Sequence, residues 1–399
     1  MTPPPPPTAP APLRVVHIID AAAGDETILA CAAAASIPLA DHTIILLADS
    51  AAEQHTRALG LLTPDRVNPA GPVTHRRLAA LLRARLDAES RPTVLTAWSI
   101  PALALARRAL GKRSLPRVAV LPVHQAPTPA DAYALDEATI LVLSTAVREA
   151  IAPAAAARRG SSPNLIRDNI RLAPPPVFTR SGPVPTSRES LRSALGLTPS
   201  DRVVSLLASP ARHADALAMA FQLGLCFTIG HPLVGLLPRS AANLRQGLEF
   251  CREHGRRWNL LPVDLSLPEL VAAADLCIAQ STDLAPSCGP TALSLAAAMG
   301  VPVAAHPSVL SGLGLIAPPP PALLAANSDR NALALPIISL AESSPEAAQL
   351  AHAQRAWCDH ARAADAFRST LAAIWAEVTN LPDHPHAPSH SARYATAVA

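Results

Sequence analysis

The stretch that decides the fold is residues 260–306, LLPVDLSLPELVAAADLCIAQSTDLAPSCGPTALSLAAAMGVPVAAH. It contains three short apolar runs, at 260–263, 276–279 and 301–305, each bounded by turn residues or by a helical segment. Apolar runs of this length are typical of strands that are buried on both faces of a sheet. We therefore predict three strands here.

Two helices are predicted between these strands. Ser266 is followed three residues later by Glu269, which matches a capping box at the start of a helix over 266–274. Gly289 and Pro290 open a second helix, and Gly300 closes it. Strands that alternate with helices predict a parallel sheet with helices on its faces.

The loop after Ala279 is the first candidate binding site. It follows a predicted strand, and open α/β sheets bind ligands at the carboxyl ends of their strands. The helix that begins at Gly289 offers free N–H groups and the positive end of its dipole to an anion such as a diphosphate.

The same stretch resembles the C-terminal half of the family 4 retaining glycosyltransferases, which have the GT-B fold. In that family an apolar strand and a Ser precede a Glu-Gly-Phe-Gly loop, a helix with a second Glu, and a Gly-Val-Pro-Val end. Residues 276–281 fit the strand and Ser, and residues 300–303 fit the end. With Gly300 as the anchor, the two family glutamates fall on Ser287 and Leu295, and neither is acidic.

The resemblance covers residues 13–378 and implies an α/β protein of two Rossmann-like domains that face a central cleft. A Pro-rich segment, 174–185, is the expected linker and hinge. The expected parts are a Pro-rich leader (1–12), an N-terminal acceptor domain (13–178), a C-terminal nucleotide-sugar domain (179–360), a helix that crosses back to the N-terminal domain (361–380), and a tail (381–399).

The resemblance also implies which residues hold the donor. The family has Gly-Arg and a Lys after the strand at 203–208, and both bases hold phosphates; here Ser209, Arg212 and His213 occupy this region. Arg212 either donates two hydrogen bonds to a phosphate or is an exposed side chain that caps a loop. The expected donor-binding residues are Ser209, Arg212, His213, Asp283, Ser287, Gly289 and Thr291.

Two residues are expected on the acceptor side. Gly24 follows the first predicted strand, where the family has a glycine pair, although a plain turn explains a single Gly equally well. His124 lies in a loop after the strand at 117–121, where the family often has a His near the acceptor; otherwise it is a surface residue.

Composition excludes several classes of protein. The net charge is +3 with 16% charged residues, which is too weak and dispersed to indicate nucleic-acid binding.

The uncharged run 216–238 is long enough to span a bilayer, but polar residues interrupt it and we predict a buried helix followed by a strand. The six scattered cysteines form no CxxC pair, which indicates thiols in a reducing, cytoplasmic compartment. We expect no metal and no cofactor; peripheral membrane contact stays open.

Two functions remain open from the sequence. The first is a glycosyltransferase that transfers a sugar from a nucleotide-sugar to an unknown acceptor, with reduced activity. The second is a catalytically inactive GT-B protein that binds a ligand or partner. A sugar epimerase on the same fold would need a carboxylate pair that we cannot place. The residues at 287 and 295 favour weak or absent turnover.

Overall fold

The computed structural model describes residues 13–20, 24–47, 65–66, 79–80, 82–84, 93–111, 115–122, 135, 138–159, 170–178, 187–209, 214–254, 259–281, 286–313, 321–327, 329, 331–342, 345–364 and 366–380. The predicted leader, the predicted tail and part of the predicted linker lie outside these residues.

The N-terminal half forms a sheet of seven parallel strands with the order β3-β2-β1-β4-β5-β6-β7. Its strands are β1 (Leu13–Asp20), β2 (Ala40–Leu47), β3 (Asp65–Arg66), β4 (Thr93–Ala97), β5 (Arg117–Leu121), β6 (Thr139–Val142) and β7 (Arg171–Leu172). Its helices are α1 (Asp25–Ala35), α2 (Ile100–Leu110) and α3 (Thr145–Arg159).

The C-terminal half forms a second sheet, of six parallel strands, with the order β10-β9-β8-β11-β12-β13. Its strands are β8 (Val203–Leu206), β9 (Val234–Pro238), β10 (Asn259–Val263), β11 (Leu276–Ala279), β12 (Val303–Ala305) and β13 (Leu323–Leu324). The helices of this half are α4 (Arg188–Ala194), α5 (Ala216–Thr228), α6 (Leu244–His254), α7 (Leu267–Ala273), α8 (Pro290–Met299), α9 (Pro307–Leu313), α10 (Ala334–Ala341) and α11 (Pro345–Ala364).

The stretch that decides the fold has the predicted succession of elements. It forms β10, α7, β11, α8 and β12, and the capping box between Ser266 and Glu269 is present. Gly300 ends α8 with a left-handed backbone, φ 69°, which only glycine adopts without strain. The predicted fold class, two Rossmann-like sheets with helices on their faces, is confirmed.

The uncharged run 216–238 forms α5 and β9 rather than one continuous helix. Within the described residues, no helix is long and apolar enough to cross a bilayer. All six cysteines are free and buried. The prediction of buried thiols is therefore confirmed, whereas the compartment stays a prediction.

The last helix, α12 (Ala366–Asn380), packs on the N-terminal sheet. The indole Nε1 of Trp375 donates a hydrogen bond of 3.0 Å to the Thr96 hydroxyl in β4, and both residues are buried. Phe367 and Leu371 bury against the same face of the sheet. The chain thus returns from the C-terminal half to the N-terminal sheet.

The two halves make an apolar contact with each other. Ile28 and Leu29 of α1 belong to the same buried cluster as Leu207, which follows β8, and Leu267 of α7. Burial of large aliphatic side chains contributes about 1.5–3 kcal/mol each, so this contact favours the close approach of α1 to the C-terminal half.

Candidate functional site

The candidate site lies where the strand order of the second sheet reverses. β8 and β11 are neighbours in that sheet, and their connections leave in opposite directions. A crevice outside the carboxyl ends of two such strands is the usual ligand position in open α/β sheets. The segments that follow these strands contain Ser209, Gln280 and Ser287, and all three are buried.

Ser287, two residues before the N-cap of α8, is hydrogen-bonded to the segments that follow both strands. The N–H of Ser209 donates to the carbonyl oxygen of Ser287 at 2.9 Å, and the N–H of Ser287 donates to the carbonyl oxygen of Gln280 at 2.8 Å. The N-terminus of α8 therefore lies directly beside the ends of β8 and β11.

The Ser287 hydroxyl both donates and accepts a hydrogen bond inside the protein. It donates to the carbonyl oxygen of Leu207 at 2.7 Å and accepts from the N–H of Gln280 at 3.0 Å. A hydroxyl has one hydrogen to donate. Ser287 is also 0% exposed, so in this arrangement it fixes the loop and does not face a ligand.

Leu295, where the resemblance predicts the second glutamate, lies in the apolar core. It is 0% exposed and belongs to the buried cluster that includes Leu207, Cys288 and Val303. The neighbouring Ser294 donates its hydroxyl to the carbonyl oxygen of Pro176, 2.8 Å away. Neither position on this helix turn presents a polar group to a crevice.

The N-terminus of α8 is occupied by Glu26, a residue of the other half of the chain. The N–H of Gly289 donates to Oε1 of Glu26 at 2.5 Å, and the N–H of Ala292 donates to Oε2 at 3.1 Å. The backbone N–H of Thr291 also bonds this carboxyl group. Sequence reasoning missed Glu26, because an acidic residue in the first turn of a helix is explained by its own helix dipole.

Burial dominates the protonation of Glu26. The side chain is 0% exposed, and burial raises its pKa to about 8, with a smaller contribution from the nearby acid Asp25. The three backbone N–H groups act in the opposite direction, because they stabilise the ionised carboxylate. Near neutral pH the balance favours the protonated acid.

Asp25 and Ser209 extend the contact between α1 and the C-terminal half. The N–H of Leu267, at the start of α7, donates to Oδ2 of Asp25 at 2.5 Å. The N–H of Glu26 donates to the Ser209 hydroxyl at 3.2 Å. Two consecutive acids of α1 therefore satisfy the N-terminal N–H groups of two different helices.

The structure brings together four of the predicted donor-binding residues: Ser209, Ser287, Gly289 and Thr291. Gly24, predicted on the acceptor side, is the N-cap of α1, two residues before Glu26. The other predicted residues, Arg212, His213, Asp283 and His124, lie outside the described residues.

Comparison with solved structures settles the fold. Anabaena HepE in complex with UDP and glucose is 19% identical, with a TM-score of 0.63, and the match covers 91% of this chain and 99% of that one. The chain has the GT-B fold. A glycosyltransferase from Rickettsia africae ESF-5 matches at 13% identity and TM-score 0.62, covering 92% of this chain and 99% of that one.

A third GT-B structure, sucrose-phosphate synthase from Thermosynechococcus elongatus, matches at 15% identity and TM-score 0.59. That match covers 92% of this chain and 99% of the synthase chain. No protein-family model and no curated protein matches the sequence. Each match thus covers nearly the whole length of the GT-B neighbour, although the sequence identity is low.

Proposed function

We propose that the protein is a GT-B glycosyltransferase that binds a nucleotide-sugar in the crevice at the ends of β8 and β11. The observation that supports this most is the placement of the α8 N-terminus beside that strand reversal. Backbone N–H groups of a helix N-terminus and its positive dipole end suit a diphosphate. The proposed donor site uses Ser209, Gly289 and Thr291, together with Arg212, His213 and Asp283.

The proposed donor is a UDP-sugar. HepE, which has the same fold, is known in complex with UDP and with UDP-glucose. We propose that the acceptor binds on the N-terminal half, near Gly24 and His124.

We propose that turnover is slow. The family positions for two glutamates carry Ser287, whose hydroxyl is committed to the backbone, and Leu295, which is in the core. A hydrogen bond to a charged group contributes about 1.5–3 kcal/mol, so losing two removes roughly 3–6 kcal/mol. At about 1.4 kcal/mol per factor of ten, this is roughly a hundred- to ten-thousand-fold in rate.

A second candidate, a GT-B protein that binds a nucleotide or a partner without turnover, is favoured by the same two positions. With a nucleotide as the ligand, the two candidates differ only in the chemistry that follows binding. The six cysteines of the protein are free and buried, which supports a reducing compartment. We therefore place the protein in the cytoplasm.

The test combines binding and turnover on the wild-type protein. Thermal shift and calorimetry with UDP and UDP-glucose measure binding, with UMP, which lacks the second phosphate, as the control ligand. Release of UDP from UDP-glucose measures turnover. Binding with slow release of UDP supports the transferase, and binding with no release supports the second candidate. If neither UDP nor UDP-glucose binds, the proposed site is wrong.

A further inference from the structure

The carboxyl group of Glu26 stands where the proposed function needs a diphosphate. Gly289 is the N-cap of α8, and Pro290, Thr291 and Ala292 are its first three residues. Three of these four residues donate to Glu26, and Pro290 has no N–H. In this arrangement the helix end therefore has no N–H left for another anion.

The contact joins two halves of the chain that are distant in sequence. Glu26 is on α1 of the N-terminal half, whereas Gly289 and Ala292 belong to the C-terminal half. Ile28 and Leu29, one turn further along α1, bury against the C-terminal half. The carboxyl group is thus held on α8 by the packing of its own helix.

A buried hydroxyl at the same helix end indicates a ligand that accepts more hydrogen bonds than a carboxyl group does. Thr291 is in the first turn of α8, and its side chain is 0% exposed. Among the described residues, its hydroxyl has no hydrogen-bond partner. Buried hydroxyls without a partner are rare, and the oxygens of a diphosphate are strong acceptors.

We propose that Glu26 is an internal competitor for the nucleotide diphosphate: it occupies the N-terminus of α8 in the ligand-free protein, and a nucleoside diphosphate binds by displacing it. The inference rests on the proposed nucleotide site. The protein with Glu26 on α8 cannot bind the diphosphate, so the apparent affinity falls by the fraction of molecules in which the helix end is free.

The test measures UDP affinity by calorimetry in the full-length wild type and in Glu26→Ala. Alanine frees the N–H groups of Gly289, Thr291 and Ala292, so UDP should bind at least about tenfold more tightly than to the wild type. Acetate supplies a separate carboxylate that fits the vacated position. It should weaken UDP binding to Glu26→Ala and leave the wild type unaffected.

The matched control is Asp25→Ala, one residue earlier in the same turn. It also removes a hydrogen bond between the two halves, to the N–H of Leu267, but leaves Glu26 on α8. A general loosening of the halves would raise UDP affinity equally in both variants. Competition by Glu26 predicts the larger gain in Glu26→Ala, with no acetate effect in Asp25→Ala.

If Glu26→Ala does not fold, Glu26→Asp replaces it, because a side chain shorter by one methylene cannot reach both Gly289 and Ala292. UDP affinity in the folded variant that is equal to or below the wild-type value overturns the inference. If the wild type binds UDP in that case, the proposed nucleotide site stands without the competition. If no form of the protein binds UDP, both the nucleotide site and the inference fail.

Discussion

Introducing a carboxylate at Leu295 tests whether this position faces the core or a ligand. Leu295→Glu removes a leucine that is 0% exposed, a loss of about 1.5–3 kcal/mol. A buried Glu has a pKa of about 8–9, against about 4.3 in the unfolded chain, so keeping it protonated at pH 7 costs about 4 kcal/mol. The sum, roughly 5–7 kcal/mol, is comparable with the whole stability of a typical domain, about 5–15 kcal/mol.

The assay is urea unfolding followed by circular dichroism, with Leu295→Met as the control. Methionine conserves volume and should cost less than about 1.5 kcal/mol. Leu295→Glu should be largely unfolded at pH 7 and should regain stability as the pH falls towards 4.5, where the unfolded chain also binds the proton. If Leu295→Glu stays within about 1 kcal/mol of the wild type, position 295 is open to solvent or a ligand, and our account of it is wrong.

Three further predictions concern the scaffold around the site. Burial lowers the pKa of His17 to about 3, so below pH 6.5 the folded chain binds fewer protons than the unfolded chain. The free energy of unfolding should therefore fall by at most about 3 kcal/mol from pH 6.5 to 4.5. Urea unfolding at each pH measures this fall, which should be smaller in His17→Asn. Gly247→Ala should lower the melting temperature, because a Cβ at 247 would lie 2.8 Å from the Ala216 carbonyl oxygen. Trp375→Phe keeps an aromatic ring on the sheet but removes the hydrogen bond to Thr96. Denaturant unfolding should show that the free energy of unfolding falls by about 1–3 kcal/mol. The double variant Trp375→Phe/Thr96→Val should partly restore this free energy, because it leaves no unpaired hydroxyl.

The fold could be predicted from the sequence because its signals are local. The capping box at Ser266 and Glu269, the apolar run of β11 and the closing Gly300 each specify a neighbouring element. Alternation of such elements restricts the sheet to parallel strands. Local pattern and final structure therefore agree across this half of the chain.

The occupant of the helix end could not be predicted, because it depends on how the two halves pack together. Glu26 is separated from Ala292 by 266 positions in sequence, and no local pattern connects them. In sequence, Ser287 is a plausible hydrogen-bond partner of a sugar. In the structure, its hydroxyl bonds Leu207 and Gln280, which is a tertiary contact that no spacing rule contains.

The central claim is that the N-terminus of α8 binds the diphosphate of the donor. A crystal structure of the protein with UDP tests it most directly. The account predicts phosphate oxygens about 3 Å from the N–H groups of Gly289 and Ala292, with Glu26 withdrawn from the helix. UDP bound elsewhere on the protein, or bound while Glu26 still accepts from those N–H groups, would contradict it.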